Sequence, residues 1–362
     1  HAFRSERRQS RADRLPRSDA DARWCLMKVS AFARVPWLSV IVASIASLHA
    51  QPVEGLSVMT VRGPVAVAEV GTMLAHEHVM STFGAEPAAR ASYDGAAVLA
   101  AVTPPLQALR VLGVGTVIDA TAAYFGRDPD LLRTISEKTG VHLVTNTGYY
   151  GAANGRYLPS DLNTLGAADI AARWIAEWND GIGATGIRPG YLKLGVNAGP
   201  LRDVDRLLIA AAARTHLATG LTIAVHTGAN PESAAEQMAL LTAEGVSLDA
   251  WVWIHAHQVL PATPLIDAAR RGAWISLDGW NPATASRDLE TLRQLKEAGQ
   301  LHRVLLSHDG NLHPANGARP RPIDWLLREG KARLQAAGFT DDEWTQMTTR
   351  NPAAAYAVRV RK

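Results

Sequence analysis

Cysteine is almost missing from this chain of 362 residues. The single cysteine, Cys25, precedes Met27, a residue that can serve as an initiator. Without a later thiol, the rest of the chain has no disulfide framework and no cysteine-based nucleophile or metal site. This absence is compatible with an oxidising compartment.

An excess of positive charge is also missing once the N-terminus is set apart. The whole chain has a formal net charge of +3, but residues 1–26 carry seven arginines and four acidic residues. Two more basic residues, Lys28 and Arg34, leave the remaining chain at about −2. The charge therefore gives no ground for a nucleic-acid partner. We interpret residues 1–26 as a non-native or disordered extension because they lack apolar periodicity.

No apolar run approaches the roughly 20 residues that a membrane span needs. Residues 35–45 form a shorter apolar stretch, which two basic residues precede and small residues follow. This pattern predicts a secretory signal peptide over residues 27–50, cleaved after Ala46 or Ala50. A transmembrane anchor is the weaker alternative. We expect an exported, periplasmic protein whose mature form has no membrane span.

Apolar runs of strand length alternate with helical patterns eight times after residue 57. Eight strands with intervening helices predict a (β/α)8 TIM barrel, an α/β fold, as one domain over residues 57–362. Residues 57–71 predict a small β-hairpin at its N-terminal end. An open doubly wound sheet is the alternative, which the lack of a Gly-rich phosphate loop after the first strand disfavours. The eight runs are residues 72–79, 116–121, 141–148, 191–196, 221–228, 251–257, 273–279 and 303–310.

Polar residues of metal-ligand type stand near the C-terminal ends of five of these runs. His76 and His78 are two residues apart, so in a strand both point into the barrel while Glu77 points toward the helices. The C-terminal mouth of a barrel is where active sites are assembled. The residues at the five ends are His76, His78, Lys193, His226, His255 or His257, and Asp309.

Burying several imidazoles, a lysine and a carboxylate together is costly unless an ion compensates them. The set therefore predicts a metal centre. On the sixth strand, His255 and His257 share a parity, so strand alternation leaves both open.

Four motifs resemble the phosphotriesterase family of the amidohydrolase superfamily: "TVRGPVAVAEVGTMLAHEHV", "GRDPDLLRTISEKTGVHLVTNTG", "ARTHLATGLTIAVHTG" and "RVLLSHDG". The resemblance runs from about residue 58 to Pro352. It implies a hydrolase with two divalent metal ions, Zn²⁺ being expected and Mn²⁺, Co²⁺ or Fe²⁺ the alternatives. The implied ligands are His76, His78 and Asp309 for one metal and His226 and His255 for the other, with Lys193 as a bridge.

The resemblance implies that Lys193 is N-carboxylated and bridges the metals together with a hydroxide. An ammonium group with a pKa near 10.4 would repel cations, whereas the carbamate formed with carbon dioxide is an anion that binds through two oxygens. Asp309 would take the proton as hydroxide attacks, and Tyr150 would lie near the hydroxide. The family's spacing to the downstream "RRGAWISLD" favours His255 over His257.

Two departures from the family bear on the substrate. Asp278 is followed by Gly279, where organophosphate-cleaving members carry His and lactone-cleaving members carry Arg, and "AHQV" replaces the acidic residues after the sixth-strand His. Tyr149, Tyr150 and Trp280 are expected as apolar walls, and no Lys/Arg cluster of the kind that binds a phosphate monoester stands out.

We therefore expect a small uncharged lactone or carboxylate ester as substrate, with phosphotriester cleavage as a side activity. The alternatives are a mononuclear deaminase of the same superfamily, a non-catalytic exported solute-binding barrel and a structural metal-holding barrel. A homodimer is left open.

Overall fold

The computed structural model of the chain describes residues 55–88 and 92–362. The predicted extension, residues 1–26, and the predicted signal peptide, residues 27–50, lie outside the described residues. None of the described helices combines the length and the apolar character that crossing a bilayer requires.

Each of the eight predicted runs forms a strand, or in one case two consecutive strands, and one further strand over residues 311–314 follows the eighth run. All pairs between these strands are parallel. The strands are β3 (Thr72–Ser81), β4 (Val114–Asp119), β5 (His142–Val144), β6 (Asn146–Thr147), β7 (Tyr191–Gly195), β8 (Thr222–His226), β9 (Trp251–Ile254), β10 (Trp274–Leu277), β11 (Val304–Leu306) and β12 (Asn311–Pro314). They form two hydrogen-bonded series, β6-β7-β8-β9-β10-β11 and β12-β3-β4-β5.

The two series join into a closed barrel at both of their edges. On one side, β5 and β6 are separated by Thr145 alone, so a single extended segment belongs to both series. On the other side, β11 pairs with β10 and the chain then continues into β12, which pairs with β3. Between them, Asp309 N donates to His76 O at 3.2 Å and His78 N donates to Gly310 O at 2.9 Å. The predicted (β/α)8 barrel is therefore confirmed.

Ten α-helices among the described residues follow or cover the strands. Local signals explain several of their ends: Asp128 caps the N-terminus of α2, and Gly140 ends α2 in the left-handed conformation at φ 71°. The helices are α1 (Gly95–Val111), α2 (Pro129–Thr139), α3 (Ala167–Asp180), α4 (Asp203–Thr219), α5 (Pro231–Ala243), α6 (Thr263–Arg270), α7 (Ala285–Glu297), α8 (Lys331–Ala336), α9 (Asp341–Thr345) and α10 (Asn351–Tyr356).

The predicted hairpin is also confirmed. It consists of β1 (Ser57–Thr60) and β2 (Gly63–Ala66), which pair antiparallel. Val61 N in its turn donates to Leu143 O at 2.9 Å, and Val358 N donates to Ser57 O at 2.9 Å. The hairpin is thereby tied both to the barrel and to the C-terminal segment, and it leaves the other end of the barrel for the loops that follow the strands.

At Gly115 in β4, the backbone approaches the segment that leads into β3 too closely for a side chain to fit. A Cβ atom at this position would lie 2.2 Å from Val70 O, a backbone atom that cannot swing away. We expect Gly115→Ala to lower the free energy of unfolding by about 1–3 kcal/mol, the usual cost of overpacking, as measured by urea denaturation. The control is Gly95→Ala at the start of α1, where the nearest atom is 4.0 Å away. An equal loss in both variants would contradict this account.

Candidate metal centre at the mouth of the barrel

A β-bulge in β3 sets the direction of the two histidines. The pairing of β3 with β4 shifts by one residue between Leu74 and Glu77. Before the shift, Leu74 packs in the layer toward the helices while Ala75 packs in the barrel interior. A bulge reverses the alternation of side chains. After it, His76 and His78 line the cavity at the mouth.

His76, His78 and Asp309 come together at this mouth. Nε2 of His76 lies 3.3 Å from Asp309 Oδ1, and Nε2 of His78 lies 3.4 Å from the same oxygen. Nδ1 of His78 is 2.8 Å from Thr121 Oγ1, which in turn donates to Met80 O. Nδ1–H of His78 therefore serves as the donor to Thr121, and its Nε2 is left for a ligand.

His226 and His255 form the second pair of the cluster. Their ring centroids are 4.5 Å apart, and the ring of His255 is 5.1 Å from that of His76. His255 follows the last residue of β9 and has a left-handed backbone, φ 62°. Because regular strand geometry ends at Ile254, alternation could not have chosen between His255 and His257. Only His255 of the two lines the cavity.

Lys193 lies buried between these groups, with its side chain 2% exposed. It points inward with Tyr191, as the strand pattern predicts. Its Nζ is 3.4 Å from His76 Nε2. No carboxylate of a described residue lies within ion-pair distance of this nitrogen.

Asp278 holds the histidines of the sixth strand, a role that the sequence reasoning missed. Its Oδ1 accepts from Nδ1 of His255 at 2.9 Å and from Nδ1 of His257 at 3.0 Å. Its Oδ2 accepts from Ser276 Oγ at 2.7 Å and lies 3.8 Å from Nδ1 of His76. Asp278 is near enough to His76 and His255 to share a metal with them. Because its oxygens are already engaged, we interpret it as the carboxylate that orients the ligands.

The contacts of Glu77 explain why a carboxylate stands between His76 and His78. It is fully buried and accepts from Ser307 Oγ at 2.7 Å and from His308 Nδ1 at 2.6 Å. Gly310 N also donates to it, at 2.8 Å. Glu77 thus binds both neighbours of Asp309, whose backbone has an uncommon positive φ of 51°. This contact fixes the tip of the eighth strand, and His308 is not among the residues that line the cavity.

The protonation of His76, His226 and Asp309 suits metal binding, whereas burial is outweighed at His255 by the adjacent Asp278, which raises the pKa of His255. Burial, reinforced by the nearby Lys193, lowers the pKa of His76 to about 3, and burial likewise holds the pKa of His226 well below its usual range. Burial opposes the ionisation of Asp309, yet hydrogen bonds from His76 and His78 hold the pKa of Asp309 well below its usual range. Burial lowers the pKa of Lys193 to about 8.

The residues therefore fit a divalent metal centre. Neutral imidazoles and an ionised carboxylate are the donors that Zn²⁺ and similar ions take in proteins. The ligand atoms of His76, His78 and Asp309 all lie within 4.8 Å of one another. All six predicted ligand residues line one cavity of about 380 Å³.

The walls of this cavity differ in part from those predicted. Tyr150 lines it, but Tyr149 packs on Trp174 and Trp280 stacks on Trp325, with ring distances of 5.2 and 6.5 Å. The prediction of Tyr149 and Trp280 as walls is wrong, because both rings are buried in the layer outside the strands.

Two rings that the sequence reasoning missed, Phe83 and Phe125, line the cavity in their place. They follow the first two strands, whose loops the prediction did not consider. In the sequence, only the aromatic character of Phe83 and Phe125 could have indicated that they form part of the cavity wall.

Two arginines also line the cavity, although no basic cluster was evident in the sequence. Arg319 and Arg321 come from the segment that follows β12. Nε and Nη2 of Arg321 donate to Asp309 O at 3.1 and 2.6 Å. The mouth of the cavity is thus more basic than expected.

Comparison with known proteins agrees with the fold. The profile of the phosphotriesterase family matches residues 56–356. The phosphotriesterase homology protein of Escherichia coli K12 is 28% identical over 293 residues, which are 78% of this chain and 97% of that protein.

Two solved structures are similar to this chain as well. The organophosphorus hydrolase from Deinococcus radiodurans superposes with a TM-score of 0.74 at 30% identity, over 83% of this chain and 96% of that one. A second structure, described as organophosphate hydrolysis engineered from a weak promiscuous lactonase template, has a TM-score of 0.73 at 29% identity, over 83% of this chain and 99% of that one.

A substitution of Gly279 tests how closely the ring of His257 packs against the backbone at this position. A Cβ atom there would lie 2.3 Å from Nε2 of His257, so this ring occupies the space that a side chain at position 279 would need. We expect Gly279→Ala to lower the free energy of unfolding by about 1–3 kcal/mol, because His257 must leave Asp278. In urea denaturation, the double variant with His257→Ala should lose less than the sum of the single losses. Additive losses would show that the two positions do not compete for space.

Proposed function

This chain belongs to the phosphotriesterase family and is a hydrolase, and from that premise we propose that it cleaves a lactone or carboxylate ester at a binuclear metal centre. The proposed ligands are His76, His78 and Asp309 for one ion and His226 and His255 for the other. N-carboxylated Lys193 is the proposed bridge.

The position of Lys193 is the observation that carries this proposal. A buried ammonium group needs an ion-pair partner, and removing such a charge from water without one costs several kcal/mol. Lys193 has three imidazoles around it but no carboxylate within ion-pair distance among the described residues. Carboxylation converts the amine into an anion and removes the conflict.

The roles of the chain's own residues follow from their contacts. Divalent ions, when bound here, would supply a water activated at neutral pH and would polarise the carbonyl group. Asp278 and Thr121 hold His255 and His78 so that Nε2 of each ring is available. Arg321 anchors the backbone of Asp309.

Asp309 is the proposed proton carrier of the hydrolysis. Its side chain is ionised and 32% exposed to the cavity. As the oxygen of water bonds to the acyl carbon, Asp309 accepts one proton. When the ester C–O bond breaks, that proton passes to the departing alkoxide. The products are an alcohol and a carboxylic acid, which releases its proton to solvent.

Tyr150 is the proposed hydrogen-bond donor to the substrate. Its ring is 5.4 Å from that of His226 and lines the cavity. Burial, together with the negative charge of Asp309, raises the pKa of Tyr150, so the hydroxyl group stays protonated. A protonated phenol can donate to the carbonyl oxygen of an ester.

An ester of modest size fits the cavity better than a large polymer. The rings of Phe83, Phe125 and Tyr150 offer an apolar surface, and the volume of about 380 Å³ is in the range of small-ligand sites. The lactonase template among the similar structures supports the choice of a lactone. The organophosphorus hydrolase supports phosphotriester cleavage as a side activity.

Two alternative functions make different demands on Lys193 and on the number of bound metal ions. A mononuclear deaminase has no use for a bridging lysine, and a solute-binding barrel has no use for two metals.

We keep export to the periplasm by residues 27–50, and a homodimer, as further parts of the proposal. Mass measurement of the protein from periplasmic extracts and sedimentation of the purified chain would test them.

The variant Lys193→Ala tests whether Lys193 bridges two metal ions. Metal analysis should find about two divalent ions per chain in the parent protein and fewer than two in the variant, which has lost the shared ligand. Hydrolysis of lactones, aryl esters and phosphotriesters should fall by at least about a hundredfold. The matched control is Lys138→Ala, a lysine in the last turn of α2 that should change neither quantity. Full activity or full metal content in Lys193→Ala would exclude the proposal.

Assembly of the centre from metal-free protein should depend on carbon dioxide and on pH. Only the neutral amine reacts with carbon dioxide, and with its pKa lowered to about 8 the neutral fraction of Lys193 rises as the pH rises. At constant dissolved carbon dioxide, the initial rate of activation by Zn²⁺ should rise about fivefold from pH 7 to pH 8. A rate that is the same with and without carbon dioxide would argue that the lysine stays unmodified.

A further inference from the structure

Outside the ligand set, the lining of the cavity at the candidate metal centre includes two kinds of side chain that a substrate can use. One kind is aromatic: Phe83, 45% exposed, packs against Phe125 and Tyr150 with ring centroids 5.5 and 6.1 Å away. The other kind is cationic: Arg319 and Arg321. Asn316 joins the two, since its Nδ2 donates to Phe83 O at 2.6 Å. A ligand in this cavity can therefore contact rings and guanidinium groups together.

The two arginines are not equivalent. Arg321 donates to Asp309 O and lies 3.7 Å from Asp309 Oδ2, so its guanidinium is occupied within the protein. Arg319 is exposed, and no described residue lies within hydrogen-bond or ion-pair distance of its guanidinium. Its charge is uncompensated at the edge of the cavity.

The rest of the lining does not neutralise this charge. Asp309 is the only carboxylate among the described residues that line the cavity. Asp309 already has His76, His78 and Arg321 around it. A cleft of one sign of charge concentrates ligands of the opposite sign.

We propose that Arg319 binds a negatively charged group, such as a carboxylate, on the substrate, while the aromatic side chains contact the apolar part next to the scissile ester. This inference rests on the proposed function and refines it, because the sequence had suggested an uncharged substrate. Guanidinium is suited to the task, since its planar N–H groups match a carboxylate in two parallel hydrogen bonds.

Two aryl esters of the same length test the inference. Monophenyl glutarate ends in a carboxylate, whereas phenyl pentanoate has a methyl group in that place, and phenol release reports the hydrolysis of both. Zn²⁺-loaded parent protein should prefer the anionic ester. In Arg319→Gln, the ratio of kcat/KM for the anionic ester to that for the neutral ester should fall about tenfold, mainly through KM. Arg319→Glu should lower the ratio further.

The matched control is Arg271→Gln. Arg271 is also an exposed arginine, at the C-terminal end of α6 and so at the opposite end of the barrel, and it should leave the ratio unchanged. The ratio should also fall with added salt, because an exposed charge is screened. A ratio equal in parent and Arg319→Gln would overturn the inference while leaving the proposed hydrolysis intact. Failure to hydrolyse either ester would instead count against the proposed function.

A binding measurement separates recognition from turnover. The ether 5-phenoxypentanoate has the length and charge of monophenyl glutarate but contains no ester bond. Calorimetry with metal-free protein should give a Kd that is about tenfold weaker in Arg319→Gln than in the parent and unchanged in Arg271→Gln. Equal affinity in all three proteins would contradict a role for Arg319 in recognition.

Discussion

A lysine amine buried among imidazoles, with no carboxylate of a described residue within ion-pair distance, is the constraint on which the chemistry of this barrel depends. Burial lowers the pKa of Lys193 and so raises the share of neutral amine at physiological pH. The imidazole of His76 beside it is also held neutral. Asp309 is the one carboxylate among the described residues that line the cavity, and the proposed carbamate would add a second anion where the two groups of ligands meet.

Two buried carboxylates outside the ligand set hold the site in shape. Asp278 binds Nδ1 of His255 and of His257, and Glu77 binds both neighbours of Asp309. Each carboxylate thereby fixes a segment that has just left regular strand geometry, at a residue with positive φ. Strained backbone at a ligand persists only where the surroundings hold it in place, and here hydrogen bonds to these carboxylates do so.

The fold and the ligand candidates could be predicted because their signals are local. Eight apolar runs gave the strands, and the spacing of His76 and His78 gave a shared direction. The side walls could not be predicted in the same way. Tyr149 and Tyr150 are adjacent in the chain and share the same local sequence. Tyr149 nevertheless packs outside the strands, whereas Tyr150 lines the cavity. Their directions depend on which rings of distant segments are available to pack against.

By itself the sequence determined the barrel, the strand tips and the residue types gathered there, because alternation within a strand and the order of elements along the chain are properties of short segments. Strand alternation left His255 and His257 open, and the tertiary structure decided that His255 enters the cavity and that Arg319 reaches its edge. The physical reason is that both outcomes arise where regular geometry ends. Beyond Ile254 and Pro314, the direction of a side chain is set by contacts with remote parts of the chain, and no local period encodes those contacts.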